Sequence, residues 1–427
     1  MYKDKSIIGW ALYDWANSVF ATVIIAGFFP VVFKSYWATN LTDSENTFWL
    51  GVGNAAASLL VVFIAPFLGA IGDKYSLKKP LLLSFMLLGV LSTSLFYAVQ
   101  QGDWGLVLIL YIVATVGFMA ANIFYDALLV SVSAADQLDQ VSGLGYGLGY
   151  LGGGVSLGIC VYVSQQPAVI GYSTVIDAVL ICFLLVSIWW FVFSLPLAFW
   201  VKDTQYAGGS AGDDISSAVS LKNTGVVDAT LTAFRMVFKN RQARLFLIAY
   251  WIYIDGVDTI IRMAVDYGLA IGFEFSDLIL ALLITQFTGF PAAILYGYAG
   301  SRIGVKKSIM AGIGVYCAIT WLGYIMTTPT EFYILAVLVG LVQGGVQAMS
   351  RSFYVRMIPA GQAARYFSIY NMLGKSAAIV GPLLMGAVAL ITENHRYSIL
   401  SVLVLFVLGA YVLSRVEEPC VSGVEGR

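Results

Sequence analysis

The sequence predicts an all-α membrane protein whose twelve transmembrane helices form two six-helix halves. Three observations lead to this prediction: the apolar composition, the number of long apolar segments, and short motifs that recur in both halves. Of the 427 residues, 59% are hydrophobic and only 11% are charged, whereas globular domains contain about 45–50% apolar and about 25% charged residues. A chain this apolar cannot bury its hydrophobic surface internally, so we expect a lipid bilayer to surround it.

Twelve segments reach the length of about 20 predominantly apolar residues that a transmembrane helix requires. The first has a basic start, as a signal peptide does, but its apolar run is too long, contains Asp14 and lacks a small-residue cleavage site. We therefore interpret it as a retained span. The predicted spans lie near residues 7–36, 47–71, 80–100, 104–132, 142–164, 174–201, 243–270, 274–300, 308–328, 331–357, 364–391 and 395–415.

The distribution of basic residues predicts the orientation. With the amino terminus inside, eighteen of the 23 lysines and arginines fall in cytoplasmic segments, and only Lys34 and Arg396 fall outside. Because cytoplasmic loops carry the excess of basic residues, we place both termini in the cytoplasm. The resulting division is an amino-terminal six-helix bundle, a cytoplasmic linker, a carboxy-terminal six-helix bundle and a cytoplasmic tail, at residues 1–201, 202–240, 241–416 and 417–427.

The second part of the linker has the pattern of an amphipathic helix. Its apolar residues recur at helical spacing, at Val227, Leu231, Phe234 and Phe238. Arg235 and Lys239 fall opposite them. Such helices bury their apolar face at the membrane boundary, so we expect a short helix on the inner membrane surface, with a plain linker as the alternative.

Two motifs recur in the two halves. "GAIGDKYSLKK" (residues 69–79) follows span 2, and "GYAGSRIGVKK" (residues 297–307) follows span 8. "DWANS" in span 1 likewise matches "DGVDT" in span 7, and each presents an acid, a polar residue and a hydroxyl on one helix face. These residues are Asp14, Asn17 and Ser18 in the first half, and Asp255, Asp258 and Thr259 in the second. Duplicated six-span halves are typical of secondary transporters, whose substrate site lies between the halves.

The loop pattern Gly-x-x-x-Asp-(Arg/Lys)-x-x-x-(Arg/Lys)-(Arg/Lys) resembles the signature of the major facilitator superfamily. Between spans 1 and 11, further motifs resemble one branch, the autophagy-related vacuolar amino-acid effluxers and their bacterial relatives: "YDWANSVFAT", "FYDALL", "SGLGYGLGYLGGG", "DGVDTII", "GFPAA", "GGVQAMSRS" and "IYNMLGKSAAIVGP". The resemblance implies the major facilitator fold, with spans 1, 4, 7 and 10 lining a central cavity, and a location in a bacterial cytoplasmic membrane. The chain departs from the pattern at Ser301, which replaces the second loop acid, and at Asp258, where an uncharged polar residue is common.

The same resemblance implies a conformational gate in the repeated loops. Its candidate residues are Gly69, Asp73, Lys74 and Arg302. Gly69 would allow close helix approach, and Asp73 would meet a helix N-terminus across the interface between the halves, where an anion is stabilised. Because Ser301 is not acidic, only Asp73 can make this contact. Ordinary anchoring by basic loops is the alternative.

Seven charged residues fall deep within the predicted spans, where ionisable groups are functional by default. They are Asp14, Asp126, Asp255, Asp258, Arg262, Arg351 and Lys375. Four acids face three bases, which leaves one carboxylate unmatched, and burial disfavours its charged form. A carboxyl that gains and loses a proton is what proton coupling requires. Asp14, which has no cation nearby on its own helix, is our first choice; the alternative is a set of interhelical ion pairs with a structural role only.

Other function classes find no support. "GLGYLG" and "GVSLG" in span 5 match a dinucleotide fingerprint and a nucleophile elbow, but both require a preceding strand, so we predict no enzyme. Gly145, Gly149 and Gly153 instead recur every four residues, which is typical of close helix packing. Four scattered cysteines and a single histidine, His395, offer no metal site or disulfide framework. The balance of 23 basic and 24 acidic residues gives no case for nucleic acid, and we expect no cofactor.

We therefore predict a monomeric secondary active transporter that works by alternating access and moves a small zwitterion such as an amino acid. Arg351 or Lys375 would hold the substrate carboxylate, and Asp14 or Asp255 its ammonium group. We expect coupling to protons, with sodium as the alternative ion. The alternative functions are export of a larger anionic or amphipathic metabolite, and a membrane receptor or scaffold, which would not need the repeated polar face.

Overall fold

The computed structural model describes residues 4–203, 226–359, 361–377, 380–392 and 395–418. All regular structure in these ranges is helical, which confirms the predicted fold class. The long helices are numbered as spans 1 to 12 in chain order. Their bounds are Lys5–Trp37, Asp43–Lys74, Lys78–Ser94, Trp104–Val132, Leu138–Gln165, Val175–Trp200, Arg241–Ala270, Phe275–Ile303, Val305–Ile325, Pro329–Val355, Ala363–Ala377 continued by Val380–Thr392, and His395–Ser414.

Span 7 differs from the others in composition. Within the described residues, eleven helices are long and apolar enough to cross a membrane, and Arg241–Ala270 is not among them. Its 30 residues reach about 45 Å, which exceeds the hydrocarbon thickness of roughly 30 Å. Its charges, which include Asp255, Asp258 and Arg262, lower its hydropathy. The helix is therefore long enough to span the bilayer, and the residues that make it polar are those predicted to form the site.

The amino-terminal ends of spans 2 and 10 begin at capping boxes. The Thr42 hydroxyl accepts a hydrogen bond from the Glu45 N–H (3.3 Å), and the Glu45 carboxylate accepts one from the Thr42 N–H (2.8 Å). Thr328 and Glu331 make the same two contacts at 3.3 and 2.9 Å. Each box satisfies N–H groups that the first helical turn leaves without a partner. These side chains explain where both helices start.

Span 1 departs from α-helical geometry in its second half. After an α-helix to Val19, the chain forms a π-helical segment, a short α-helical turn and a second π-helical segment, at Phe20–Phe28, Phe29–Val32 and Phe33–Trp37. Pro30 lies in the short turn and has no N–H to donate. π-Helical turns change the direction of the side chains that follow and are frequent at functional sites. The hydropathy pattern did not predict this change.

Spans 5 and 8 join the two halves through glycines. A Cβ atom added to Gly143 would lie 2.6 Å from the carbonyl oxygen of Ala293, and one added to Gly297 would lie 2.8 Å from that of Asp139. Both distances are shorter than van der Waals contact, so the two backbones touch directly. Small residues are needed wherever transmembrane helices approach this closely.

The predicted glycine stripe of span 5 packs within the amino-terminal half. Cβ atoms added at Gly145, Gly149 and Gly153 would lie 2.5–2.9 Å from side-chain atoms of Trp10, Ser18 and Thr22, in that order. These three partners are on span 1. The stripe thus presses span 5 against the face of span 1 that carries Ser18.

A separate helix, Val226–Lys239, lies in the linker where the amphipathic pattern predicted one. It contacts span 2 of one half and spans 7 and 11 of the other. The first part of the linker, residues 204–225, and the tail from residue 419 lie outside the described residues. The name "linker helix" is used below for Val226–Lys239.

Candidate functional site

Arg351 of span 10 is only 1% exposed and lies at the centre of a buried polar cluster that includes Asp14, Asp126, Ser142 and Asn371. Its Nε donates to the Ser142 hydroxyl at 3.0 Å, and its Nη2 donates to the Ser142 carbonyl oxygen at 3.0 Å. Its Nη1 lies 3.1 Å from Oδ1 of Asp126. Ser142 and Asp126 belong to spans 5 and 4, so a cation of the carboxy-terminal half is bound by the amino-terminal half.

Three aromatic rings surround the Arg351 guanidinium. Its central carbon lies 4.8, 5.4 and 4.5 Å from the ring centroids of Trp10, Tyr125 and Tyr146. A guanidinium within about 6 Å of a ring face is attracted by the ring quadrupole, and more strongly where water is excluded. Trp10 and Tyr125 are stacked with their centroids 4.4 Å apart. The sequence did not single out Trp10 or Tyr125, because aromatic residues make up 14% of the chain and carry no distinguishing pattern.

Asp126 binds two donors from the opposite half. Besides Arg351 at Oδ1, its Oδ2 accepts a hydrogen bond from Nδ2 of Asn371 at 2.8 Å. Asn371 lies on span 11, four residues before Lys375, so the two share a helix face. Sequence reasoning did not select Asn371, although this spacing within "IYNMLGK" was available as a signal. With its two donors, Asp126 ties span 4 to spans 10 and 11.

Asp14 is buried, with 9% exposure, and has a different kind of partner. Its Oδ2 accepts a hydrogen bond from the Tyr125 hydroxyl at 3.1 Å, and it forms no ion pair with any described residue. Of the two predicted companions of Asp14, Ser18 shares its surroundings, because the Ser18 hydroxyl and the Asp14 carboxylate both pack against Gly149. Asn17 instead donates from Nδ2 to Oδ1 of Asn122 at 2.7 Å, within the same half.

Asp255 does not repeat the surroundings of Asp14. Both of its carboxylate oxygens accept from the N–H of Gly381 on span 11, at 3.0 Å each. Gly381 is needed here, because a Cβ atom at this position would overlap the Thr259 hydroxyl and come within 3.1 Å of the Asp255 carboxylate. The sequence repeat between spans 1 and 7 is therefore not a repeat of contacts.

Asp258, Arg262 and Lys375 form a second charged group in the carboxy-terminal half. Arg262 lies one helical turn after Asp258 on span 7, and Lys375 lies on span 11, which packs against span 7. None of the three forms an ion pair with a described residue. Arg262 is exposed, whereas Asp258 and Lys375 are partly buried. The group has two cations and one acid, so one positive charge is not balanced within it. Arg351, by contrast, is paired with Asp126.

An apolar cavity of about 220 Å³ lies next to these charges, towards the side that the basic loops assign to the exterior. Its lining includes Thr22 and Gln343, which are eight residues outward from Asp14 and Arg351, or roughly 12 Å along their helices. Aliphatic and aromatic side chains such as Ile260 and Leu335 form most of its wall. The polar side chains of the lining are Thr22, Tyr150, Tyr267, Thr285, Gln286 and Gln343.

Asp73 joins the two halves at the opposite, basic side of the molecule. Its Oδ1 and Oδ2 accept hydrogen bonds from the N–H groups of Ala364 and Arg365, at 3.0 and 2.9 Å. These donors belong to the first turn of span 11, where free N–H groups and the helix dipole favour an anion. A Cβ atom added to Gly69 would lie 2.6 Å from the Ala364 carbonyl oxygen. Span 2 and span 11 are consequently in backbone contact at this point.

The two predicted basic gate residues, Lys74 and Arg302, have different surroundings. The cation beside Asp73 is Lys78, with its Nζ 3.9 Å from Oδ1. The Lys74 ammonium lies 5.3 Å from the Tyr75 ring centroid. Arg302, at the end of span 8, is exposed.

A further contact between the halves, an ion pair at the basic side, was not predicted. Nη2 of Arg356, which directly follows span 10, lies 2.7 and 2.9 Å from the two carboxylate oxygens of Asp139 at the start of span 5. The Asp139 side chain is 2% exposed and that of Arg356 is 15% exposed. Both residues lie at the basic ends of their helices, and sequence spacing cannot pair residues that are 217 positions apart.

Comparison with protein families gives one match that extends over most of the chain. The family model described as "Vacuole effluxer Atg22 like" matches residues 48–136 and 130–419. The chain is 35% identical over 412 residues to the "Uncharacterized MFS-type transporter YxiO" of Bacillus subtilis, covering 96% of this chain and 94% of that protein. It is 23% identical over 462 residues to "Autophagy-related protein 22" of Eremothecium gossypii, covering 92% and 87%.

Solved structures of the same architecture are more distant in sequence. The human organic anion transporter MFSD10 superposes with a TM-score of 0.72 at 13% identity, over 96% of this chain and 99% of that one. The proton:xylose symporter XylE superposes with a TM-score of 0.72 at 12% identity, over 97% and 96%. At these identities the similarity establishes the fold.

Proposed function

This chain belongs to the Atg22-like family of major facilitator transporters, and from that premise we propose that it is a secondary active transporter for a zwitterionic solute with an apolar side chain, such as a neutral amino acid. Like its relatives, it is a multi-pass membrane transporter. It is not an enzyme. The proposal concerns its substrate, its coupling ion and the residues that bind each of them.

The main support is the difference between paired and unpaired charges in the polar cluster. Arg351 is already bound by Asp126, which leaves Lys375 as the cation for a substrate carboxylate. Asp14, whose partner is a tyrosine hydroxyl, is the acid for the substrate ammonium group. Asp126 links the two groups, because it binds Asn371, one helical turn before Lys375, and directly follows Tyr125, the partner of Asp14. A zwitterion would bind with each of its charges next to a group of opposite sign.

The apolar cavity supports the choice of side chain. A pocket of about 220 Å³ has room for an aliphatic or aromatic side chain, and each buried CH₂ group contributes about 0.8 kcal/mol. The polar residues on its wall, among them Gln286 and Gln343, carry no charge, so a charged side chain would lose its hydration there without gaining an ion-pair partner. We therefore expect basic and acidic amino acids to be poor substrates.

Alternating access would use the two six-helix bundles, residues 1–201 and 241–416, as the moving units. Asp73 and the Asp139–Arg356 pair hold their basic, cytoplasmic ends together, and the cavity lies towards the other side. These contacts would break when the site opens to the cytoplasm. The bundles are joined by residues 202–240, and residues 417–427 form the tail.

Proton coupling is the second part of the proposal, and Asp14 is its candidate carboxyl. Asp126 is paired with a cation, and Asp255 accepts two contacts from one N–H group. Asp14 can become neutral by binding a proton without leaving a buried cation unpaired. Sodium is the alternative ion, because carboxylate and hydroxyl oxygens also bind it.

The test is substrate exchange in proteoliposomes containing the full-length protein. Amino acids with apolar, polar, acidic and basic side chains are supplied one at a time, and uptake is compared with that of nucleosides, sugars and organic acids. We expect saturable exchange of apolar amino acids, lowered roughly ten- to a hundredfold in affinity by Lys375→Ala, since charged hydrogen bonds are worth about 1.5–3 kcal/mol.

The matched control is Arg415→Ala, which removes an exposed cation at the end of span 12 and should leave affinity unchanged. Exchange of larger organic anions alone, without any amino acid, would favour the alternative of an exporter for anionic or amphipathic metabolites. Equal affinity in both variants would contradict the role of Lys375.

A further inference from the structure

The linker helix has three distinct faces. Val237 is fully buried and Thr230 is 6% exposed, so this face is docked on the protein. Val227, Leu231 and Phe238 are 59%, 50% and 38% exposed, and they form an apolar stripe. With 3.6 residues per turn, the stripe is rotated about 80° from the docked face.

The third face is basic. Arg235 and Lys239 are exposed and lie about 90° around the helix from the apolar stripe, on the side away from the docked face. Arg241 and Arg244 follow directly at the start of span 7 and are also exposed. Arg244 donates to the Phe238 carbonyl oxygen at 2.9 Å, which fixes the end of the linker helix against that span.

The depth of the helix places these faces at a membrane boundary. The Thr230 hydroxyl donates to the Pro66 carbonyl oxygen of span 2 at 3.5 Å. Pro66 lies eight residues before the end of span 2, or roughly 12 Å from it along the helix. Phe63 and Phe67, on either side of Pro66, are 70% and 43% exposed, as expected of a surface that faces lipid. The linker helix therefore lies at the level of the lipid, with its apolar stripe free.

We propose that the linker helix is a binding surface for the headgroups of acidic phospholipids, and that this contact stabilises the closed cytoplasmic gate. Arg235, Lys239, Arg241 and Arg244 supply the charge, and the apolar stripe enters the boundary between headgroups and acyl chains. The charge identifies the partner: four exposed cations within ten residues complement an anionic surface, and a zwitterionic lipid offers no net charge to match them.

The link to the gate comes from what the docked face touches. The linker helix contacts span 2 and span 11 together, and these are the helices that Asp73 joins. When the halves separate at this side, the helix can stay docked on only one of them. A lipid contact that holds the linker helix in place therefore favours the closed state, in which the helix contacts span 2 and span 11 at once.

The test measures the gate directly and needs no substrate. Spin labels at Tyr75→Cys and Lys307→Cys, both at exposed positions on the basic side of opposite halves, report the separation by pulsed electron resonance. The full-length protein is placed in vesicles of phosphatidylcholine alone or of phosphatidylcholine with phosphatidylglycerol. We expect the acidic lipid to raise the ratio of closed to open distances.

A double variant, Arg235→Gln with Lys239→Gln, should lower that increase. Each cation near an acidic surface contributes about fivefold to the binding equilibrium. Loss of both cations can therefore lower the lipid-induced increase in the closed-to-open ratio by roughly thirtyfold at most. The matched control, Lys5→Gln with Lys202→Gln, removes two other exposed cytoplasmic cations and should retain the full lipid response. Leu231→Gln should weaken the response without changing any charge.

Two results would overturn the proposal. One is the same distance distribution in both kinds of vesicle. The other is an opening caused by the double variant in phosphatidylcholine alone, which would assign Arg235 and Lys239 to contacts within the protein or with a protein partner. Neither result depends on the substrate, so the proposed transport function can stand or fall separately.

Discussion

Arg351 and Asp126 are 3.1 Å apart and belong to opposite halves of the molecule. The pair lies at the centre of a polar cluster in which Trp10, Tyr125 and Tyr146 exclude water from the guanidinium. Because each charge depends on the other for compensation, any movement that separates the halves here must offer Arg351 another anion.

The first prediction is that Asp126→Asn destabilises the protein. It leaves Arg351 buried without its ion-pair partner, which costs about 3–5 kcal/mol, and we expect a lower midpoint of thermal unfolding in detergent. Asp103→Asn, at an exposed loop acid, is the control and should unfold as the unmodified protein does. Because replacing both charges removes the uncompensated cation, Asp126→Leu with Arg351→Met should be more stable than Asp126→Asn. A double variant as unstable as the single one would contradict this account.

The second prediction concerns the gate contact of Asp73. Asp73→Asn keeps one acceptor oxygen but removes the charge from the first turn of span 11, a contribution of about 0.3–1 kcal/mol and up to ~2 kcal/mol in buried geometry. We expect a larger share of molecules open at the basic end, measured by distances between labels on the two halves. Asp136→Asn, at an exposed acid of a neighbouring loop, should leave the distribution unchanged. If the two variants behave alike, Asp73 has no part in the gate.

The third prediction is that the Asp139–Arg356 contact acts as a second latch. Arg356→Gln should also raise the open share, because it removes both hydrogen bonds to the Asp139 carboxylate. When Arg356→Gln is combined with Asp73→Asn, their free-energy effects on gate opening should add, since the two contacts share no residue. Distance measurements on the single and double variants check this. An effect of Arg356→Gln that disappears in the Asp73→Asn background would show instead that Arg356 acts through Asp73.

The fourth prediction is that Asp14 carries the coupling proton. In proteoliposomes, uptake should follow an imposed pH gradient without sodium, and Asp14→Asn should abolish that dependence. Some exchange of substrate down its own gradient should remain, at lower affinity because the ammonium group loses its charged partner. The amide cannot bind or release a proton but still fills the space beside the Tyr125 hydroxyl. Asp103→Asn should remain fully coupled. Uptake that requires sodium, or full coupling in Asp14→Asn, would exclude this role.

The sequence determined the features that depend on short-range pattern. Runs of apolar residues predicted the twelve spans, because each span must satisfy its own backbone hydrogen bonds in lipid and so must be long and helical. Span 7 was predicted in the same way, although its charges bring its composition below that of the eleven described helices that are apolar enough to cross a membrane. The loop motif at residues 69–79 marked Gly69 and Asp73, which the structure places in contact with span 11.

Only the tertiary structure decided which charges meet. Four deep acids and three bases can be paired in many ways. Neither hydropathy nor charge distinguishes one pairing from another. Asp126 is 225 residues away from Arg351 and 245 away from Asn371, distances over which helical periodicity carries no information. The packing of span 10 against span 5 and of span 11 against span 4 brings these groups together. The physical reason is that helix formation in a membrane is local, whereas an ion pair depends on how the helices are assembled.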